Sequence, residues 1–238
     1  MKRILLIIIR NLYRLPYIYF ALRHYAKHTD TYSDEQRFSI IRKISKHIVS
    51  SGRVDIEVFG QENLPKENGF MFFPNHQGLF DAFAIVEACP TPFSTVYKKE
   101  LKNIPLLKQI LTCVKAVCLD RDDLRQGRVA IYQVTKALLE GRNYMIFAEG
   151  TRSRNENQVQ EFKGGSFKSA MKAKCPILPV ALIDSYKVFD TSSIARTTVQ
   201  VRFLKALYYE DYKDLNTTQV AAFVKESIEK AITEYETR

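Results

Sequence analysis

The stretch Phe70-Met71-Phe72-Phe73-Pro74-Asn75-His76-Gln77-Gly78-Leu79-Phe80-Asp81 passes from an unbroken apolar run through polar residues and a glycine into a second apolar segment. A short apolar run closed by such a turn reads as a buried strand feeding a helix. The pattern recurs along the chain. Strands are expected near 54–59, 70–74, 94–97, 114–118, 143–147, 177–183 and 198–203, and helices near 80–88, 104–112, 123–140, 165–173 and 217–236. Asp122 or Asp123 opens the 123–140 helix and Gly141 stops it. This alternation predicts an α/β fold, a mostly parallel central sheet flanked by helices.

The same stretch carries the first candidate chemistry. On a continuous helix, positions five apart point about 140° away from each other, so His76 and Asp81 would not meet. They meet if His76 sits in the strand-to-helix turn and Asp81 in the first helical turn, with Gly78 expected to give the turn its backbone freedom. Asp81 would then accept from Nδ1–H of His76 and leave Nε2 as a base for a hydroxyl group. The competing reading is a structural histidine, and the place of His76 after a Phe-rich strand argues against it.

Ligands of parallel sheets bind beyond the carboxyl ends of the strands. Glu149-Gly150-Thr151-Arg152 follows the strand at 143–147, where Arg152 offers a planar fork of donors suited to a phosphate monoester and Glu149 can tether that arginine or a substrate hydroxyl. Arg121 follows the strand at 114–118, and Lys98 and Lys99 end the strand before it. Each cation alone reads as a solvated surface charge. Their convergence on one rim points to a phosphorylated alcohol.

At 238 residues the chain fits one α/β domain with an appendage. A net charge of +10 calls for an anionic partner. Lys2, Arg3, Arg10, Arg14, Arg23 and Lys27 precede the first acid, Asp30, and lie among apolar residues. Arg10, Arg14 and Pro16 interrupt the run Ile4–Leu22, leaving no uncharged span of about 18 residues for a membrane-crossing helix. The expected arrangement is a helix in the membrane interface with its basic side, Arg3, Arg10 and Arg14, toward anionic head groups. Ser33-Asp34-Glu35-Gln36 reads as a capping box opening a second helix to about Val49. Residues 1–50 thus form a basic amphipathic helical hairpin, and 51–238 the main domain.

The four cysteines lack C-x-x-C spacing and read as reduced core residues. His24 and His28 have no third ligand beside them, so no metal is expected. Neither a Gly-rich nucleotide loop nor a G-x-S-x-G elbow is present, and direct attack by a substrate hydroxyl fits better than a covalent intermediate. No nucleic-acid-binding motif accompanies the charge.

Taken together, Asn75-His76-x4-Asp81, the Arg121 segment, Phe147-x-Glu149-Gly150-Thr151-Arg152-Ser153 and Pro176-Ile177-Leu178-Pro179-Val180 resemble the four ordered blocks of the glycerolipid acyltransferases, in the bacterial 1-acyl-sn-glycerol-3-phosphate acyltransferase branch. Gln61-Glu62-Asn63-Leu64-Pro65 and Lys98-Lys99-Glu100-Leu101 look like that branch too, and the resemblance covers about residues 55–185. It implies acyl transfer from an acyl carrier protein or coenzyme A thioester to lysophosphatidic acid, with no cofactor, at the cytoplasmic face of the membrane. His76 would be the base and Asp81 its partner. Lys98, Arg121, Glu149, Gly150, Thr151 and Arg152 would bind the glycerol phosphate. The proline-bounded block would be structural or shape the acyl side. Gly78 stands where the family often has serine, and Ala148 where it usually has proline. The alternatives are a sibling enzyme acting on glycerol-3-phosphate or another lysophospholipid, and a non-catalytic basic membrane-binding protein. The second leaves the His–Asp pair and the ordered blocks unexplained.

Overall fold

A computed structural model describes residues 2–120 and 123–237. Among them a seven-stranded sheet runs in the order β1-β7-β6-β2-β5-β3-β4, from β1 (Val54–Phe59), β2 (Met71–Pro74), β3 (Ser94–Lys98), β4 (Val117–Leu119), β5 (Tyr144–Met145), β6 (Ile177–Ile183) and β7 (Thr197–Phe203). Every pairing is parallel except β6 with β7. The α/β expectation holds, and each expected strand is present. Two are displaced for local reasons. β4 starts late because 114–116 close the preceding helix, α5 (Leu107–Cys113), with Lys115 left-handed at φ 51° and Ala116 N–H bonded to Leu111 O at 2.8 Å. β5 is short because the chain leaves the ladder after Met145 to make the loop at 147–153.

Since β6 and β2–β5 share one direction, their carboxyl ends lie on one edge of the sheet. β1 and β7 run the other way and begin at that edge. Helices cover both faces. On one side α3 (Asp34–Ser51) and α4 (Asp81–Ala88) pack Phe38, Ile40, Ile41, Ala84 and Ile85 onto Phe72, Val180 and Leu182. On the other, α6 (Leu124–Leu139), α7 (Lys168–Ala173) and α10 (Thr217–Glu236) pack Val134, Ala170 and Val224 onto Met71, Phe73 and Ile183. Phe73 stacks on Phe167 with ring centroids 4.0 Å apart. β2 and β6 are buried on both faces, which is why they read as continuous apolar runs. Ser33 and Gln36 make the expected capping box, and Gly141, at φ 81°, ends α6. Two short helices, α8 (Tyr186–Phe189) and α9 (Tyr209–Tyr212), carry too few residues to show a helical period.

The N-terminal helices invert one expectation. α1 (Lys2–Asn11) and α2 (Leu15–Lys27) are joined by a 3-10 turn at Leu12–Arg14. Two arginines of the stripe, Arg3 and Arg10, reach back to the protein rather than to head groups. Arg3 is fully buried and donates from Nη1 to Gly52 O and from Nη2 to Ala195 O and Thr197 Oγ1, each at 2.8 Å. Arg10 donates to Ser51 O at 3.0 Å, and Arg14 to Asn11 Oδ1 at 3.2 Å. The reason is that the C-terminal turn of α3 and the entry to β7 leave carbonyls that need donors. A row of apolar side chains faces outward, Leu5, Ile8, Ile9, Leu12, Tyr13, Tyr17 and Phe20, beside the exposed Lys2, Arg23 and Lys27. Lys2–Lys27 is also long and apolar enough, by length and composition, to cross a membrane. One side of it is occupied, because Ile18 and Leu22 join the same core as α3.

Replacing Arg3 strands the buried carbonyl of Gly52 and removes the donor to Ala195 O. Arg3→Ala should therefore destabilise the protein by about 2–3 kcal/mol, read from chemical denaturation, and expose α1 to proteolysis.

Candidate active site

The site begins where β2 ends. Asn75 extends the strand pairing with its side chain, Oδ1 accepting from Leu182 N–H at 2.7 Å and Nδ2 donating to Leu182 O at 3.0 Å. This fixes the backbone entering His76. Asp81 occupies the first turn of α4, where the helix dipole favours a carboxylate. Its Oδ2 accepts from His76 Nδ1 at 2.7 Å, Gln77 N–H at 2.7 Å and Gly78 N–H at 3.0 Å. His76 and Asp81 are thus brought together by a turn, in the geometry the spacing allowed. Asp81 is completely buried, whereas the His76 side chain is 21% exposed. In the neutral tautomer that donates from Nδ1 to Asp81, Nε2 is free to accept.

The turn is held differently from the sequence-based expectation at one point. Gly78 is not in the left-handed region, so it is not there for backbone freedom. A Cβ at Gly78 would stand 3.1 Å from Asp190 Oδ2 and 3.6 Å from Tyr186 Cα, so space is the constraint. Its N–H, a candidate donor to a developing oxyanion, is already spent on Asp81.

The loop Phe147–Ser153 closes over the same turn. Glu149 Oε1 accepts from His76 N–H, and Ser153 N–H donates to His76 O, both at 2.8 Å. The backbone of His76 is gripped on both sides. Gly150, at φ 78°, makes the tight turn between these contacts, and Phe147 stacks on the imidazole with centroids 4.0 Å apart. Glu149 is 2% exposed, and among the described residues its Oε2 completes no side-chain hydrogen bond. Burial first, and then the charge of Asp81, push the Glu149 carboxyl up to about 7. Ala148 is buried, its carbonyl accepting from Lys163 N–H at 3.0 Å.

Of the remaining expected residues, Thr151 is exposed and donates to Gln160 Oε1 at 3.2 Å, and Arg152 is half-buried. Lys98 is half-buried at the end of β3, and the neighbouring Lys99 pairs with Asp120 at 2.7 Å. Arg121 lies outside the described residues. The block Pro176–Val180 lies largely in β6, the fully buried strand between β2 and β7. Among the described residues no group of three His, Cys, Asp or Glu gathers to hold a metal. His24 and His28 instead meet Tyr32 OH and His24 O, respectively.

The sequence did not point to Ser185, whose hydroxyl donates to Asp81 Oδ1 across 104 positions, nor to the groove beside the histidine. That groove, about 440 Å³, runs between the sheet and α6 and is lined by Val96, Leu119, Ile131, Val134, Ile146 and Phe147. Arg128, Lys163 and Lys168 also line it. Phe147 forms a wall common to the groove and to the ring of His76. The arrangement can take a proton at Nε2 from a hydroxyl beside an apolar slot.

The acyltransferase family model matches residues 55–183, which include the His–Asp turn, the Glu149 loop and β6. The chain is 28% identical over 188 residues to the 1-acyl-sn-glycerol-3-phosphate acyltransferase of Borreliella burgdorferi, covering 77% of this chain and 75% of that one. It is 27% identical over 231 residues to the probable 1-acyl-sn-glycerol-3-phosphate acyltransferase of Mycoplasma pneumoniae, covering 90% and 85%. The crystal structure of the 1-acyl-sn-glycerophosphate (LPA) acyltransferase PlsC from Thermotoga maritima has the same fold, with a TM-score of 0.80 at 24% identity over 99% of this chain and 97% of that one. With its family match spanning more than half of its length, this chain belongs to the acyltransferase family and is an acyltransferase.

Proposed function

We propose that this enzyme moves a fatty acyl group from a thioester to the 2-hydroxyl of lysophosphatidic acid, producing phosphatidic acid for phospholipid synthesis. The observation that carries the mechanism is the His76–Asp81 contact of 2.7 Å beside the apolar groove. The reaction names of the relatives support the acceptor. Nε2 of His76 accepts the hydroxyl proton as the oxygen attacks the thioester carbonyl. The tetrahedral intermediate then expels the thiolate, which takes the proton back from Nε2. A base so placed typically contributes about 10²–10⁴-fold. Asp81 holds the tautomer and stabilises the imidazolium.

Lys98, Arg121 and Arg152 bind the acceptor phosphate, assisted by Thr151 and by the backbone at Gly150. Glu149 spends one oxygen on His76 N–H and keeps Oε2 for a substrate hydroxyl. The apolar groove takes the acyl chain, and no cofactor is required. Either thioester, on acyl carrier protein or on coenzyme A, brings an anionic donor to the cations Arg128, Lys163 and Lys168.

Residues 1–50 hold the enzyme on the cytoplasmic face of the membrane as a peripheral or monotopic protein, with 51–238 as the acyltransferase domain. The outward apolar row from Leu5 to Phe20 dips into the lipid, while Arg3 ties α1 to Ala195 and Thr197 at the catalytic edge of the sheet. This favours an acceptor resident in the bilayer over soluble glycerol-3-phosphate.

Purified wild type offered lysophosphatidic acid and either thioester should form phosphatidic acid, and His76→Ala should lose at least 10²-fold in kcat; equal turnover by the two proteins would remove His76 as the base. Ile9→Asp combined with Phe20→Asp should abolish sedimentation with anionic vesicles and lower activity on vesicle-borne acceptor. Activity on a short-chain, water-soluble acceptor should persist in that double variant.

Glu149 gives a pH test with a fixed sign. Its carboxyl is raised from 4.5 to about 7 in the fold, so between these values the native state holds a proton that the unfolded chain has released. Stability should therefore fall as pH rises through that window and level off above it. Glu149→Gln keeps the acceptor for His76 N–H and has no proton to lose. Its melting temperature should be flatter over pH 5–8 and exceed that of wild type at the upper end, by calorimetry.

A further inference from the structure

Asp81 buries a carboxylate completely, so the fate of its second oxygen matters. Oδ2 has three donors, whereas Oδ1 has the Gly78 N–H at 3.1 Å and the hydroxyl of Ser185. Ser185 lies just after β6 at the N-cap of α8, where a serine ordinarily accepts a hydrogen bond from the first turn of the helix. Here its side chain makes no cap bond. The helix forgoes its cap, and the hydroxyl is turned to donate to Asp81.

The backbone is bent to allow this. Asp184, immediately before Ser185, is left-handed at φ 63°, an uncommon state for a residue with a Cβ. Its carboxylate is fixed from three directions, by Lys187 Nζ at 2.8 Å, Tyr235 OH at 3.2 Å and Asn157 Nδ2 at 3.2 Å. Its N–H donates to Asn157 Oδ1 at 2.9 Å. Gln77, adjacent to the base, closes the network, accepting from Ser185 N–H at 2.9 Å and donating to Asn157 Oδ1 at 2.8 Å. Gln77 and Ser185 are both essentially inaccessible to solvent.

We propose that Ser185 is a positioning residue for the base: its hydroxyl, aimed by the strained Asp184 turn, locks the Asp81 carboxylate so that Oδ2 faces His76 Nδ1. This rests on His76 acting as the base. A buried serine that merely satisfied its own hydroxyl would stabilise the fold and leave turnover alone.

The test uses the full-length protein in vesicles with lysophosphatidic acid and whichever thioester wild type accepts. Ser185→Ala should lower kcat about ten-fold, in line with a hydrogen bond to a charged group, while both KM values stay within about two-fold. The low-field Nδ1–H proton resonance of His76, identified by its loss in His76→Ala, should move or broaden. Ser185→Cys, a near-isosteric weak donor, should fall between the two, and it carries the test if the alanine variant fails to fold. Wild-type kcat with an unmoved resonance, or a loss confined to KM, would overturn the proposal. His76→Ala separates the two failures. If it is inactive while Ser185→Ala matches wild type, only the role of Ser185 falls; if it stays active, the base assignment falls first.

Discussion

A carboxyl group with no access to water sits in the first turn of α4, just beyond the central strand, and the local structure is organised around supplying it with donors. Two backbone N–H groups, an imidazole and a serine hydroxyl converge on Asp81, drawn from the β2–α4 turn and from the end of β6. An isolated buried charge would shed its ionisation, so these donors are a condition of the pair existing at all. Further contacts then grip His76 itself, through Glu149 and Ser153 at its backbone and Phe147 at its ring. Residues far apart in sequence therefore serve one imidazole orientation.

The sheet separates two layers of helices, and the edge that carries His76 borders both. One face carries the N-terminal helices, whose apolar side chains point outward. The other carries α6 and α7, with the apolar groove and its cations.

Much of this was legible because the signals are local. Runs such as Phe70–Phe73 and Ile177–Ile183 announce strands, Ser33 and Gln36 announce a cap, and Gly141 announces a stop. The spacing of His76 and Asp81 suffices once a turn lies between them. What escaped is non-local. The direction of the arginine stripe depends on carbonyls at Gly52 and Ala195, which no pattern in residues 1–28 can reveal. The grip of Glu149 on a backbone N–H requires two loops to be docked, and Ser185 is one serine among many until β6 lies beside β2. Composition assigned the outward side of these helices to charge, whereas a row of apolar side chains from Leu5 to Phe20 is exposed there.

The single antiparallel pairing, β6 with β7, has a topological consequence. Reversing β7 also reverses β1, its parallel neighbour, so β1 begins rather than ends at the edge that carries His76. The hairpin is joined directly to the start of β1 and is delivered to that edge without a linker. Had the last two strands followed the direction of the others, the joint at Gly52 would lie a strand length away, about 20 Å for six residues. The connection between β6 and β7 thus sets where the N-terminal helices join the sheet relative to His76.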